Sequence, residues 1–447
     1  MPGLSPIRIL FYPHSVRALS SSLIGHLAEL CQEFHVVLVT ERLAAGYARL
    51  LEDRTRFPGL EHVEVIAAFG YSPAQLIRGN RRWHQLARDL VRHNRPDVVI
   101  TENDMSSLFD MYLLRAAKQQ GAVCLTIQGM MQQQDRAIQR FIELIHVGSD
   151  GTGPGLRRQL RLGYFCTRKW LGHLLVHYLL PWSIGERALV GRSSYVLRTG
   201  ASGLRDSDLN LVQSHQAFRS HTASGVSAGR LAILPHPLTR LPHDLFFVPA
   251  DARPSSGPPS GGKTILVLLT SVQVGFRADD YTLINRDQRR QTRLEILQLL
   301  HRVLPEWLIV LKPHPDCGRL ETVQEYFSAV RDYVTILPPE IPVEPHLQHS
   351  DIILDLPLSV TTTLYTAICA YPDKPVISAN VTGEFYGDYY RDFPEIDYVQ
   401  SMPELETLLQ RIKTGAYRKA AMTAIPPGLK SFPTTNAAVH HLLQNGN

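Results

Sequence analysis

Short β-branched runs alternate with amphipathic stretches through the whole chain, and the alternation stops and restarts around one Pro/Ser/Gly-rich segment. The first series contains RILFY (8–12), FHVVLVT (34–40), 63–67, PDVVIT (96–101), VCLTI (123–127), LNLVQ (209–213) and 231–234. Between them, helical periodicity covers 20–31, 83–93 and 108–120, the last closed by Gly121, and a helix follows from about Gln216. Runs such as PDVVIT are apolar throughout, as expected of a parallel strand covered on both faces, and strict alternation with helices selects a doubly wound α/β sheet. The segment PADARPSSGPPSGG (249–262) has the composition of a linker. Beyond it the pattern resumes: TILVLL (264–269), a helix over 289–303, and strands at 307–311, 334–337, 351–354 and 375–378. Further helices are expected over 361–370, 403–414 and 435–443. Two Rossmann-like domains are therefore expected, 1–248 and 263–425, joined by 249–262 and facing an interdomain cleft. A helical insertion is expected at about 150–200, after the glycine-rich loop 148–155. Sheets of this kind bind ligands at the carboxyl ends of their strands.

Composition narrows the class. The chain has 447 residues, 44% of them hydrophobic, which fits two or three globular cores. The charge is a mild +5 from 46 basic and 41 acidic residues, and no aromatic-and-basic RNA motif accompanies it, so nucleic acid is not the expected partner. Five widely spaced cysteines, Cys31, Cys124, Cys166, Cys317 and Cys369, read as buried free thiols of a reducing cytoplasm. Residues 1–8 have no signal-peptide pattern, and no apolar run reaches the roughly 20 residues a spanning helix needs. The nearest is WLGHLLVHYLLPW (170–182), flanked by Trp170 and Trp182 and preceded by Arg157, Arg158, Arg161, Arg168 and Lys169. This pattern suits either a core helix or an interfacial one. The protein is thus expected in the cytoplasm, with peripheral contact with the inner face of the membrane as one option.

Two motifs carry chemistry. Lys312-Pro313-His314-Pro315 follows the strand at 307–311, so two prolines stiffen a turn bearing a cation and an imidazole at a strand's carboxyl end. Such a turn fits a phosphate or a leaving group. Ser359, Thr361 and Thr362 lie in LSVTTT (358–363), just ahead of a helix, where hydroxyls and free N–H groups make an anion site. Both motifs follow strands of one sheet and are expected to converge on one phosphate or diphosphate.

These residues resemble bacterial surface-polysaccharide transferases of the GT-B fold: the HP-motif capsule glycosyltransferases of polysialyltransferase or Kdo-transferase type, and more distantly the CDP-glycerol glycerophosphotransferases. The likeness rests on Lys312, His314 and Pro315, on Ser359, Thr361 and Thr362, and on the stretch SDIILDLPLSVTTTLYTAICAYPDKPVI (350–377). It implies that His314 contacts or protonates the departing nucleotide phosphate, that Lys312 neutralises it, and that Ser359, Thr361 and Thr362 donate hydrogen bonds to it. It also implies that segment 426–447 packs back on the first domain. Cations and dipoles suffice to stabilise such a leaving group, so no metal and no cofactor are expected beyond a CMP- or UDP-linked sugar as substrate.

A transferase further needs a base for the acceptor hydroxyl. Glu102 and Asp104 follow the strand at 96–101, and His14 follows the first strand; each is a candidate. The relatives' acidic pair is split here by Asn103, and Gln128-Gly129 lacks the histidine they often carry. Glu344, in PVEPH, is a candidate for the ribose or base of the nucleotide, and Lys374 ahead of Pro375 reads as a structural turn.

The expected activity is glycosyl transfer from the nucleotide-activated donor to a polysaccharide, glycolipid or other hydroxyl acceptor. The alternatives are a CDP-polyol phosphotransferase, a non-hydrolysing UDP-sugar 2-epimerase, and a degenerate GT-B binding protein. An epimerase is expected to carry a glycine-rich GxSGG-type turn, where this chain has Ser359-Val360-Thr361-Thr362-Thr363.

Overall fold

A computed structural model describes residues 7–13, 23–41, 48, 50–67, 73–102, 108–127, 206–223, 226–235, 237, 262–269, 286–314, 317, 319–339, 341, 343–357, 362–382, 390–391, 393–420 and 425–445. The chain divides into two compact units, Met1–Ala250 with Ile425–Asn447, and Asp251–Ala424.

The first unit is built on a seven-stranded sheet. Its strands are β1 (Arg8–Tyr12), β2 (His35–Thr40), β3 (Leu60–Val65), β4 (Val98–Thr101), β5 (Val123–Ile127), β6 (Leu209–Val212) and β7 (Leu231–Ile233), in the order β3-β2-β1-β4-β5-β6-β7. All pairings are parallel. Its helices include α1 (Ile24–Glu33), α2 (Pro73–Asn94), α3 (Leu108–Gln119) and α4 (His215–Ala223). On one face Leu10, Tyr12, Val37, Val39 and Val99 pack against Trp83, Leu90, Phe109 and Leu113 of α2 and α3. The chain order reverses between β1 and β4, so this sheet has a switch point where Tyr12 pairs with Thr101.

The second unit has six strands: β8 (Thr264–Leu269), β9 (Leu308–Pro313), β10 (Val334–Ile336), β11 (Ile352–Leu356), β12 (Val376–Ala379) and β13 (Asp397–Val399), in the order β10-β9-β8-β11-β12-β13. Every pairing is again parallel. The connecting helices are α5 (Arg286–Val303), α6 (Leu320–Tyr326), α7 (Glu344–His349), α8 (Thr362–Ala370) and α9 (Met402–Lys413). One sheet face, with Ile265, Val267, Leu269, Leu311, Leu354 and Leu356, meets Leu297, Leu300, Val323, Phe327, Leu405 and Leu409 of α5, α6 and α9. Helices α7 and α8 contact β8, β11 and β12 and contribute nothing to that cluster, which places them on the opposite face. The switch point lies between β8 and β11.

The last helix, α10 (Thr435–Asn445), docks on α1 of the first unit. The Thr435 hydroxyl donates to Glu29 Oε2 at 2.6 Å and its backbone N–H to the same oxygen at 3.0 Å. With that proton committed, the hydroxyl accepts from His26 Nδ1 at 2.8 Å. Asn436 adds bonds to the Glu29 carbonyl and to Glu33. Just ahead, the backbone of residues 430–432 extends the sheet edge beside Ile233.

Among the described residues no helix is long and apolar enough to cross a membrane. Segment 157–182 lies outside them. Cys31, Cys124 and Cys317 are free and buried.

Candidate functional site

The second unit carries the described candidates Lys312, His314, Glu344 and Thr362, and Lys312 and His314 lie at the carboxyl edge of its sheet. Strand β9 runs through Lys312 and Pro313, two residues beyond the end expected from the sequence, and β11 continues through Asp355 and Leu356. The register pairs Lys312 with Leu268, Leu268 with Asp355, and Asp355 with Ser378. Register partners of a parallel sheet share a face, so these four side chains form one row across β9, β8, β11 and β12, on the side that carries α7 and α8. The row crosses the β8/β11 switch point.

Lys312 is 4% exposed and donates to the carbonyls of Pro313 at 2.5 Å and Pro339 at 2.9 Å. Its ammonium therefore ties the end of β9 to the stretch after β10. His314 follows directly and is half-buried; its N–H bonds to the Leu269 carbonyl at 2.7 Å, and its own carbonyl accepts from Cys317 N–H at 2.8 Å. The backbone of His314 is thus fixed at the exit of β9 beside the exit of β8. Thr362 opens α8, the helix that leaves the end of β11, and Glu344 opens α7. Ser359 and Thr361 lie outside the described residues, as do Asp104, His14 and Gln128-Gly129.

Sequence reasoning passed over His346. This residue of α7 is buried, and burial, with the Lys312 ammonium and His349 acting in the same direction, holds it below the usual imidazole value. It stands two positions after Glu344, within the electrostatic reach of Lys312. Asp355 was also overlooked: it is completely buried, and neither of its oxygens accepts a hydrogen bond among the described residues. Burial pushes it up to about 8, against the pull of Arg293. Lys374 donates to the Leu347 and Gln348 carbonyls at 2.9 and 2.6 Å, closing the end of α7. Its structural reading follows from those bonds.

In the first unit, Glu102 is the first residue past β4 and is buried, 9% exposed, next to that sheet's switch point. Among the described residues no group of three or more His, Cys, Asp or Glu side chains is arranged to hold a metal ion.

No family model matches the chain, and no curated protein matches it in sequence. Solved structures do. UDP-N-acetylglucosamine 2-epimerase from Rickettsia bellii aligns over 99% of this chain and 97% of its own, with a TM-score of 0.52 and 12% identity. UDP-GlcNAc 2-epimerase from Methanocaldococcus jannaschii aligns over 98% and 100%, with a TM-score of 0.55 and 10% identity. Anabaena HepE, solved in complex with UDP and glucose, aligns over 98% and 100%, with a TM-score of 0.51 and 12% identity. The chain thus has the α/β, GT-B-like two-domain fold of these proteins.

Proposed function

We propose that the protein is a sugar-nucleotide enzyme, and that the carboxyl edge of its second sheet takes the nucleoside diphosphate. The observation that carries this reading is the placement of His314 and the start of α8 at the exits of β9 and β11, on either side of β8 and beside the β8/β11 switch point. A helix N-terminus and a histidine at such an edge suit an anionic phosphate. Ser359, Thr361 and Thr362 are assigned hydrogen bonds to it, and Glu344 the ribose. No metal enters, because dipoles and cations stabilise the diphosphate in either chemistry below.

For the reaction itself, the likeness to UDP-GlcNAc 2-epimerases over almost the whole chain favours inversion at C2 of a UDP-linked N-acetylhexosamine. Glycosyl transfer to a glycan or glycolipid acceptor is the second reading. It is favoured by the glycine-free Ser359–Thr363 run, which departs from the turn expected of an epimerase. Glu102 is assigned the base in either case, with Asp104 and His14 as its rivals.

The two chemistries separate in heavy water. C2 inversion breaks and remakes a C–H bond, so UDP-GlcNAc incubated with the protein in D2O acquires deuterium at C2 and yields the C2 epimer. Transfer leaves C2 untouched and releases UDP only when an acceptor is present. A protein that binds no UDP-sugar, CMP-sugar or free nucleotide sinks both readings.

A further inference from the structure

Helix α2 lies on the first sheet with Trp83, Ala87, Leu90 and Val91 buried against it. The opposite face of its C-terminal half is basic. Arg82, Arg88 and Arg92 are exposed there, and Arg95 is exposed just past the helix end. Among the described residues none of these four guanidinium groups has a hydrogen bond or an ion pair. The face also carries Asp89 and His93, but the Asp89 carboxylate is engaged by Gln85, whose amide donates to it at 2.8 Å. Other cations of the first unit do have acid partners: Arg8 pairs with Glu61, Arg115 with Asp206 and Lys118 with Asp208. A chain whose net charge is only +5 thus sets a row of unpaired arginines along one helix.

The composition of this face selects its partner. At the rise of an α-helix, Arg82 and Arg92 stand about 15 Å apart along the axis. Between Arg82 and Arg95 no Phe, Tyr, Trp or aliphatic side chain is exposed. Single-stranded nucleic acid is held by stacking its bases on aromatic rings, and insertion into a bilayer core needs apolar side chains. This face offers neither. It offers guanidinium forks, each of which matches two oxygens of a phosphate. An anionic lipid surface presents a plane of such groups, and basic residues lying against it are attracted without being inserted. We propose that the outer face of α2 docks on anionic lipid, with Arg82, Arg88, Arg92 and Arg95 on the headgroup phosphates. The inference stands apart from the sugar-nucleotide reading and needs nothing from segment 157–182. Guanidinium keeps its charge at physiological pH, so attachment is set by lipid charge and ionic strength.

The test is vesicle co-sedimentation of the full chain. The vesicles are phosphatidylcholine alone, and phosphatidylcholine with phosphatidylglycerol in equal parts. The wild type is compared with the triple variant Arg82→Gln, Arg88→Gln, Arg92→Gln. A control variant loses the same charge from exposed sites of the second unit: Arg302→Gln, Arg331→Gln, Lys413→Gln. The wild type is expected to bind the anionic vesicles at low salt, to leave them at about 1 M salt, and to ignore phosphatidylcholine. Each arginine near such a surface contributes about fivefold, so the triple variant should bind on the order of 100-fold more weakly. The control variant should bind like the wild type. Glutamine forms helix about as well as arginine, and the three sites are exposed, so the variant should fold. If it does not, Arg88→Gln with Arg92→Gln decides, with a loss of about 25-fold. Equal binding by the wild type and the α2 variant overturns the inference. So does an equal loss in the control, which marks net charge instead of this face. Wild-type binding to phosphatidylcholine as tight as to the anionic vesicles overturns it too. A wild type that ignores both vesicles sinks it as well, and retention of a single-stranded or duplex oligonucleotide in that case would mark a nucleic-acid surface.

Discussion

Replacing Lys312 by methionine separates what its charge holds together from what it binds. Lys312→Met keeps an unbranched stem, deletes the ammonium, and takes its bonds from the carbonyls of Pro313 and Pro339. Each charge-assisted bond is worth about 1.5–3 kcal/mol. Part of that is offset, because the native chain bears the cost of holding an ammonium at a site only 4% exposed. A net loss of about 2–3 kcal/mol is expected for the second unit. For a unit of this length that corresponds to a fall in Tm of roughly 4–12 °C, read by scanning calorimetry of the full chain. The pH dependence adds a second reading. Burial first, then Lys312 and His349, hold His346 below its ordinary 6.5. Between the lowered value and 6.5 the unfolded chain binds more protons than the folded one, so this group makes stability rise with pH across that window. Removing Lys312 raises His346 in the folded state and shrinks the effect. The variant is therefore expected to lose less stability at about pH 5.5 than at about pH 7.5. A Tm within about 1 °C of the wild type at both pH values would refute the claim that the ammonium braces this edge.

Three further outcomes follow from the same structure. Thr435→Val preserves shape but removes the hydroxyl between Glu29 and His26, and should cost about 2–4 kcal/mol by chemical denaturation; a loss under about 0.5 kcal/mol would mean α10 is held by its apolar contacts instead. Gly59 has no room for a side chain, because a Cβ there would meet the Phe34 carbonyl oxygen and lie 2.6 Å from that of Cys31. Gly59→Ala should therefore cost roughly 3 kcal/mol or more, and a near-neutral effect would show that the α1–β2 corner can yield. Asp355 takes up its proton far more readily folded than unfolded, so its contribution to stability is complete below about 4 and is lost as pH rises to about 8. Asp355→Asn should flatten that decline, and an unchanged stability–pH profile would remove Asp355 as its source.

Most strands were legible because they are short, β-branched and continuously apolar; β13 (DYV, only partly buried) carries no such run and was not expected from the sequence. Runs such as TILVLL and IILDL have few other solutions than a strand covered on both faces. The strand ends were harder to read. Proline normally ends a strand because it lacks a ladder donor, so β9 was expected to stop at Leu311. Pro313 is tolerated because it is the strand's last residue, and the bond to Leu269 is made by the next N–H, that of His314. The edge that bears Lys312 and His314 was visible as a motif, but the direction of the Lys312 ammonium depends on Pro339, which sits 27 residues away. Arg289 and Arg293 lie in the charged run RDQRRQTR, which carries no local sign of burial. Only the tertiary fold shows that two of those arginines are buried. His346 and Asp355 carry no local signal at all, since their surroundings come from other strands and helices.

The most direct test of the central claim is a calorimetric and thermal-shift panel of CMP, CDP, UMP, UDP and GDP against the full chain and His314→Ala. The account predicts selective binding of one nucleotide, UDP foremost, clearly weakened in the variant. Binding that His314→Ala leaves untouched, or no binding of any nucleotide by the wild type, would contradict a diphosphate site at the carboxyl edge of the second sheet.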